Sequence, residues 1–303
     1  MISERAAAEL DEAPAFWFVG PVEAPFLVEN VEAVLPLLPY FVTGWDIQWS
    51  GATSNLPADI RVIELADGGF RVNSAGLGGT ESVFKNSYDA AKGLAAALIN
   101  QYVARDPTKI GLKTGAALVD GGLVVIIDDS LVGSGLPLHL TALGNKFFGD
   151  VQIAVKIEQP FRGICLGLTP EVRLPLPEEC GILYREFVEG YTCMERDGRA
   201  YLKLWDREAS VFGETAPIQA LVFLDRRKRA AARLCLTDDA GLMKRLLPTA
   251  LAPHIPYCNL ISALKRLFDE TEAYHLHYSN SRDAATLLSR RFGKKIATHS
   301  FDQ

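Results

Sequence analysis

The sequence predicts a mixed α/β fold of the α+β kind, with a β-rich N-terminal region and helices gathered at the C-terminus. Three observations predict it. Apolar runs flank Asp67-Gly68-Gly69 in "IRVIELADGGFRVNSAG" and Asp120-Gly121-Gly122 in "GAALVDGGLVVIID", and Asp-Gly between apolar runs is a hairpin signal. Residues 82–104 carry Phe84, Ala91, Leu94, Ala95, Leu98, Ile99 and Tyr102 at helical spacing. Beyond about residue 237 the pattern turns helical, with capping residues and terminal glycine in place.

Taken in order, the chain is β-rich from Phe16 to about Gly78, and Trp45 and Trp49 flank a further strand in "GWDIQWSG". The helix over 82–104 is stopped by "RDPTKIG", since Asp106-Pro107 breaks helical geometry. This places a boundary between an N-terminal accessory region, 1–110, and a main domain, 111–303. After the second hairpin come a strand in "VQIAVKI", the proline-punctuated "GICLGLTPEVRLPLPEE" and a polar, turn-rich stretch to about Thr215. "IQALVFLDRRKRAAARLCLT" reads as another hairpin. Its turn, "DRRKR", is the densest basic cluster in the chain and reads first as a solvated turn, then as an anion contact.

Toward the end, Thr237 or Asp238 can cap a helix running through Leu251, stopped by Pro253 and Pro256. "NLISALKRLFDETEAY" places Leu260, Ile261, Leu264, Leu267 and Phe268 on one stripe. "YHLHY" is a short strand, and "SNSRDAATLLSRRFG" is a capped helix with Gly293 at its end.

Composition narrows the function classes. The chain has 303 residues, 49% hydrophobic and 22% charged, with a net charge of -6. That balance argues against nonspecific nucleic-acid binding, which needs clustered Lys and Arg. No run reaches the roughly 18 to 20 apolar residues of a membrane span, and "MISERAAAELDEAP" lacks the basic end and apolar core of a signal peptide. A cytoplasmic protein is expected. Five scattered cysteines form no CxxC pair, so they read as reduced thiols. His275 and His277 share one strand face, read as solvated, with a metal pair as the sharper alternative.

The chemistry, if any, lies in "VIIDDSLVGSGLPLHLTALGNKFFGD", residues 125–150. An apolar strand enters a glycine-bearing turn, a helix-like stretch follows, and Asp150 closes the segment. With "GAALVDGGLVVII" before it, and "GICLGLTPEVRLPLP", "IQALVFLDRR" and "EAYHLHYSNSRDAATLLSRRF" after it, the order of elements resembles the HPr kinase/phosphorylase-related proteins. The similarity covers roughly residues 111–292. It implies a P-loop core also likened to phosphoenolpyruvate carboxykinase, and assembly into a homo-oligomer through the C-terminal region. The apolar stripe of the 259–273 helix reads first as intrachain packing.

The family pattern runs a strand into GxxxxGK[ST], then a helix ending in Gly and an acidic pair. Aligned on Gly144 and Asp150 without a gap, the family's lysine falls on Gly133 and its hydroxyl on Ser134. Aligned on the glycines of "VGSG", they fall on Leu136 and Pro137. The family's histidine falls on Gly115 and its second acid on Val151. A P-loop works because backbone N–H groups and a lysine surround the phosphates while Ser/Thr holds Mg²⁺. Losing the lysine removes a main charge-stabilising contribution to phosphoryl transfer. Asp128 and Asp129 add carboxylates near the phosphate position. At about 4 Å and an effective dielectric near 20, each like-charge contact costs on the order of 4 kcal/mol unless a metal reverses its sign.

Three readings follow. The first is a non-catalytic binding or regulatory relative with a degenerate P-loop, no cofactor and a protein partner. Its vestigial nucleotide loop would draw on Gly133, Ser134, Gly135 and Lys146, with Asp150 the remaining catalytic candidate. The second is an active serine kinase or phosphotransferase using ATP and Mg²⁺ at an atypical site, with Lys146, Asp150, the Asp128–Asp129 metal pair and Arg162 or Arg173. The third is a structural or interaction protein in which "VGSG" is only a turn, and no mixed sheet meets a helix near residue 135.

Overall fold

The computed structural model describes residues 16–21, 24–51, 57–75, 80–128 and 135–293. The chain divides into two compact units, Met1–Leu38 with Trp45–Leu98, and Pro39–Gly44 with Ile99–Gln303. Both are mixtures of strands and helices.

The first unit is built on one six-stranded sheet. Its strands are β1 (Phe16–Gly20), β2 (Phe26–Glu29), β3 (Asp46–Gly51), β4 (Ile60–Glu64), β5 (Phe70–Ser74) and β6 (Thr80–Phe84), in the order β3-β1-β2-β4-β5-β6. All pairs are antiparallel except β2 with β4. The β4–β5 hairpin turns where the sequence placed it: Gly68 takes φ 80°, and Asp67 Oδ1 accepts from the Gly69 N–H at 3.0 Å. Helix α1 (Ser87–Ala104) starts five residues later than its apolar spacing suggests. Phe84 still belongs to the sheet, opposite Phe70, and Asn86 Oδ1 accepts from the Asp89 N–H at 2.9 Å to start the helix. The Phe84 ring lies over Gly93, where a Cβ would come within 2.2 Å of it.

In the second unit, β7 (Lys109–Leu112) precedes a hairpin of β8 (Gly115–Val119) and β9 (Gly122–Ile127). Asp120 and Gly121 take φ 51° and 84° at its turn, the positive pair that a tight hairpin of right-handed twist needs. Then come α2 (Leu136–Ala142), β10 (Lys146–Gly149), β11 (Ile153–Lys156), β12 (Arg162–Ile164), β13 (Glu171–Arg173), α3 (Ile182–Tyr191), β14 (Thr192–Arg196) and β15 (Arg199–Leu202). The long β16 (Thr215–Arg226) is followed by β17 (Arg233–Thr237), α4 (Met243–Leu246), β18 (Ala250–Leu251), α5 (Tyr257–Glu270), β19 (Glu272–Tyr278) and α6 (Ser281–Phe292). Residues 39–44 join this unit through a Val42–Leu168 bridge and the Thr43 N–H to Gly167 carbonyl bond at 2.7 Å.

Ten strands form a mixed sheet with β16 at its centre. One path runs β10-β8-β9-β16-β12-β11-β7-β18, while β19 lies on β16 and β17 lies on β19. β16 is parallel to both β9 and β19. A strand enclosed on both faces reads as a continuous apolar run rather than an alternation, and Ala220, Leu221, Val222 and Phe223 have no exposed surface. Alternate residues serve two cores. Leu123, Val125, Leu221 and Phe223 pack with Leu264, Leu267 and Phe268 of α5. Val124, Ile126, Ala220 and Val222 pack with Leu136 and Leu140 of α2 and Ala284, Ala285 and Leu288 of α6. A third core joins Leu138 of α2 to Tyr184 and Val188 of α3 and to the small sheet β13-β15-β14.

Three expectations need correction. β16 and β17 do not pair as a hairpin, because β19 inserts between them, parallel to one and antiparallel to the other. The helix expected through Leu251 is broken into short turns around α4. Asp239 caps the first turn by accepting from the Gly241 N–H at 2.7 Å, Pro248 begins the last, and β18 then pairs with β7. The stretch read as turns before Thr215 contains α3 and a three-stranded sheet. A mixed sheet does meet a helix close to residue 135, against the third reading. No helix among the described residues is long and apolar enough to cross a membrane.

Phe223 lies edge-on to Phe268 at 6.3 Å and is fully enclosed. Phe223→Ala is expected to lower stability by about 3–5 kcal/mol, the usual cost of emptying an aromatic core position. Chemical denaturation measures this, and a loss under about 1 kcal/mol contradicts the central place given to β16.

Candidate functional site

Asp150 follows β10, which pairs with β8 through a register shift between Phe147 and Gly149. The carboxyl is only 5% exposed. It accepts the Gly135 N–H on one oxygen, while Oδ1 has no hydrogen-bond partner. Burial lifts its pKa to about 7. The neighbouring Glu171 and Asp128 carboxylates push the same way, and the Gly135 N–H opposes them. Asp150 is therefore a carboxylic acid through most of the neutral range and below.

Gly135 precedes α2 with φ 64°, which explains the glycine: the nearest atom to an added Cβ is Tyr184 Oη at 3.9 Å, so space is not the constraint. From α2, His139 stacks on Tyr184 of α3 with ring centres 3.6 Å apart and planes 12° apart. Burial lowers the imidazole to about 4, leaving it neutral. Burial, reinforced by Asp150, pushes the Tyr184 hydroxyl well above its ordinary value. The His139–Tyr184 stack is thus uncharged around neutrality.

Charge stands on the walls. A cavity of ≈ 190 Å³ is lined by Gly135, His139, Asp150 and Tyr184, and also by Glu171, Arg173, Glu179, Arg199, Arg226 and Ser281. Arg199 pairs with Glu171, and Arg226 reaches Glu179 at 3.6 Å. Arg173, exposed at the end of β13, has no ionic partner among the described residues.

The candidates from the sequence separate. Asp150, Gly135 and Arg173 line the cavity together. Lys146 does not: its Nζ binds Glu214 at 3.1 Å. Arg162 is held by the Thr215 hydroxyl and carbonyl. Asp128 is not a lining residue but acts on Asp150 through its charge. Asp129, Gly133 and Ser134 lie outside the described residues. Among the described residues no group of three His, Cys, Asp or Glu could hold a metal ion. His275 and His277 stack with centres 5.9 Å apart, and His277 Nδ1 meets Asp225 Oδ2 at 2.9 Å. From the basic turn, Arg227 folds back on Asp225 while Arg226 lines the cavity.

Between Lys113 and Lys146 the sequence holds neither lysine nor arginine. Leu136 and Pro137 are both buried. At Gly115 a Cβ would lie 2.7 Å from Pro137 Cγ, so no side chain fits without moving α2. The His139–Tyr184 stack, Glu171, Arg199 and Ser281 were not legible from sequence, whereas Arg226 belongs to the basic turn read there as a solvated turn or an anion contact. These residues come from six different elements, and no local spacing links them.

No protein-family model matches the chain, and no curated protein matches it in sequence. Among solved structures it is similar to the HPr(Ser) kinase/phosphatase from Coxiella burnetii, at 12% identity and a TM-score of 0.30, over 60% of this chain and 95% of that one. A likeness of that size carries no weight for fold or activity.

The Asp150 environment makes stability depend on pH. The folded state keeps this proton up to about pH 7, whereas an unfolded Asp loses it near 3.8. Between those values the unfolded chain binds fewer protons, so stability falls as pH rises and levels off above about 7. The difference is on the order of 4 kcal/mol. Asp150→Asn keeps an acceptor for Gly135 and removes the ionisation. It is expected to exceed the parent in stability at pH 8 and to match it near pH 4, measured by urea denaturation. A variant less stable than the parent at pH 8 contradicts the account.

Proposed function

We propose that this chain is a non-catalytic binding or regulatory protein on an HPr kinase-like scaffold, with a degenerate P-loop and the Asp150 cleft as its ligand site. One observation carries this reading: the sequence has no lysine or arginine in the segment where the resemblance places the P-loop lysine. The segment from Thr114 to Asn145 contains no Lys or Arg in any register. In one alignment the positions of the lysine and hydroxyl hold Leu136 and Pro137, both turned into the protein. Position 115, where the resemblance implies a histidine, is closed by Pro137. Phosphoryl transfer depends on stabilising charge on the transferred group.

The second reading, an active phosphotransferase with a displaced site, is favoured by Asp150 and Arg173 sharing one cavity. It is weakened by Lys146 and Arg162, whose cationic groups are engaged elsewhere. ATP and Mg²⁺ belong to that reading alone. A protein partner and a cytoplasmic location belong to the first.

Mg-ATP, Mg-GTP and pyrophosphate are expected to leave the melting temperature unchanged. A ligand at 100 times its Kd adds about 2.7 kcal/mol of stability, so a working site would register clearly. A nucleotide-dependent rise that disappears in Asp150→Asn would refute the non-catalytic reading.

A further inference from the structure

A second hollow adjoins the Asp150 cleft. It encloses ≈ 250 Å³ between α2, the start of α3 and α6, and shares His139, Cys180 and Tyr184 with the cleft as a common wall. Its remaining lining is mostly apolar, including Leu143, Ile182, Leu183 and Ala285, with Arg282 among them. Ile182 is 75% exposed and Leu183 53%, adjacent branched side chains on a helix whose Tyr184 and Val188 are buried. Neighbouring exposed aliphatics beside a hollow are a usual mark of an interaction site.

Charge limits what can enter. In the cleft Arg199 is matched by Glu171 and Arg226 by Glu179, leaving Arg173 as the lining cation without an ionic partner among the described residues. Asp150 lines this space with a buried carboxyl, whose Oδ1 has no hydrogen-bond partner among the described residues. When protonated it donates, so it asks for an acceptor. One free cation and one acid proton suit a single negative charge. A phosphate dianion would carry more charge than the cleft balances.

Resting on the non-catalytic reading above, we propose that cleft and hollow together receive an acidic–aliphatic peptide segment of a partner protein. The carboxylate of a Glu or Asp enters the cleft against Arg173 and Asp150, and an aliphatic side chain enters the hollow beside Leu143, Ile182 and Leu183. Arg282, which has no ionic partner among the described residues, meets a further acidic residue or the peptide's carbonyls at the rim. Ionisable or polar groups facing Asp150 are Glu171 and Asp128, the Gly135 N–H, Tyr184 and His139, with Arg173 and Arg199 along the wall. None of them is hydrogen-bonded to Asp150 Oδ1. Binding therefore weakens by about tenfold between pH 6 and pH 8 as the acid proton is lost.

Fluorescence anisotropy of the full chain tests this with labelled, end-blocked peptides carrying a central Glu-Leu pair in a Gly-Ser background. The Glu-Leu peptide is expected to bind, and replacing Glu by Gln or Leu by Ser to weaken it tenfold or more. Arg173→Gln and Leu183→Ser, both at exposed positions, should each cost about tenfold without changing the melting temperature. Failure of the Glu-Leu peptide to bind at millimolar concentration overturns the proposal, as does tighter binding when phosphoserine replaces Glu. If those outcomes arise while Mg-ATP leaves the protein unshifted, only the peptide proposal fails. A Mg-ATP shift instead removes the reading beneath it.

Discussion

The second unit depends on the enclosure of β16. Through Ala220–Phe223 it is flanked by two parallel strands, β9 and β19, and covered on both faces by helices. A parallel strand cannot be joined to its neighbour by a tight turn, so each partner must arrive by a long crossover. Those crossovers decide what the site contains. The chain leaving β9 passes through α2, β10 and the α3 subregion before returning at β16. The chain leaving β16 passes through β17 and α5 before β19, and α6 follows directly. His139, Asp150, Glu171, Tyr184 and Arg199 all come from the first crossover, while Arg226 ends β16 and Ser281 begins α6 just after β19.

Around this frame the cleft combines two conditions that rarely coexist without purpose. Asp150 is enclosed deeply enough to remain an acid near pH 7, and one of its oxygens is left without a partner. Burying a polar group unpaired costs about 1–3 kcal/mol. The stacked His139 and Tyr184 contribute no charge, and most wall arginines are already matched by acids. What remains is a modest preference for one negative group, unlike the concentrated positive field of a phosphate cradle.

Local features of the fold were readable from the sequence, and long-range ones were not. The β4–β5 and β8–β9 hairpins follow from Asp-Gly turns that need positive φ. The last helix follows from Asn280, which accepts the Asp283 N–H at 2.8 Å. The order of β17 and β19 could not be read, because "VFLDRRKRAAARLCL" has the same pattern whether its halves pair with each other or with a third strand. α3 was missed because only Tyr184 and Val188 of its ten residues are buried, too few to mark a stripe among charged neighbours. In the site, Asp150, Gly135 and Arg173 were named from the sequence. Its aromatic floor and paired arginines depend on contacts between separate elements, as in Arg199 with Glu171, 28 residues apart, beyond the reach of local spacing.

The character of the cleft turns on Asp150, a buried carboxyl held well above the ordinary carboxylate range. Carbon NMR of the aspartate carboxyls, compared between the parent and Asp150→Asn, measures its ionisation directly. The account predicts one resonance, absent from the variant, that titrates near pH 7. A resonance for Asp150 that titrates at or below the ordinary value near 3.8 would contradict it, because burial and the neighbouring Glu171 and Asp128 carboxylates would then not govern this group.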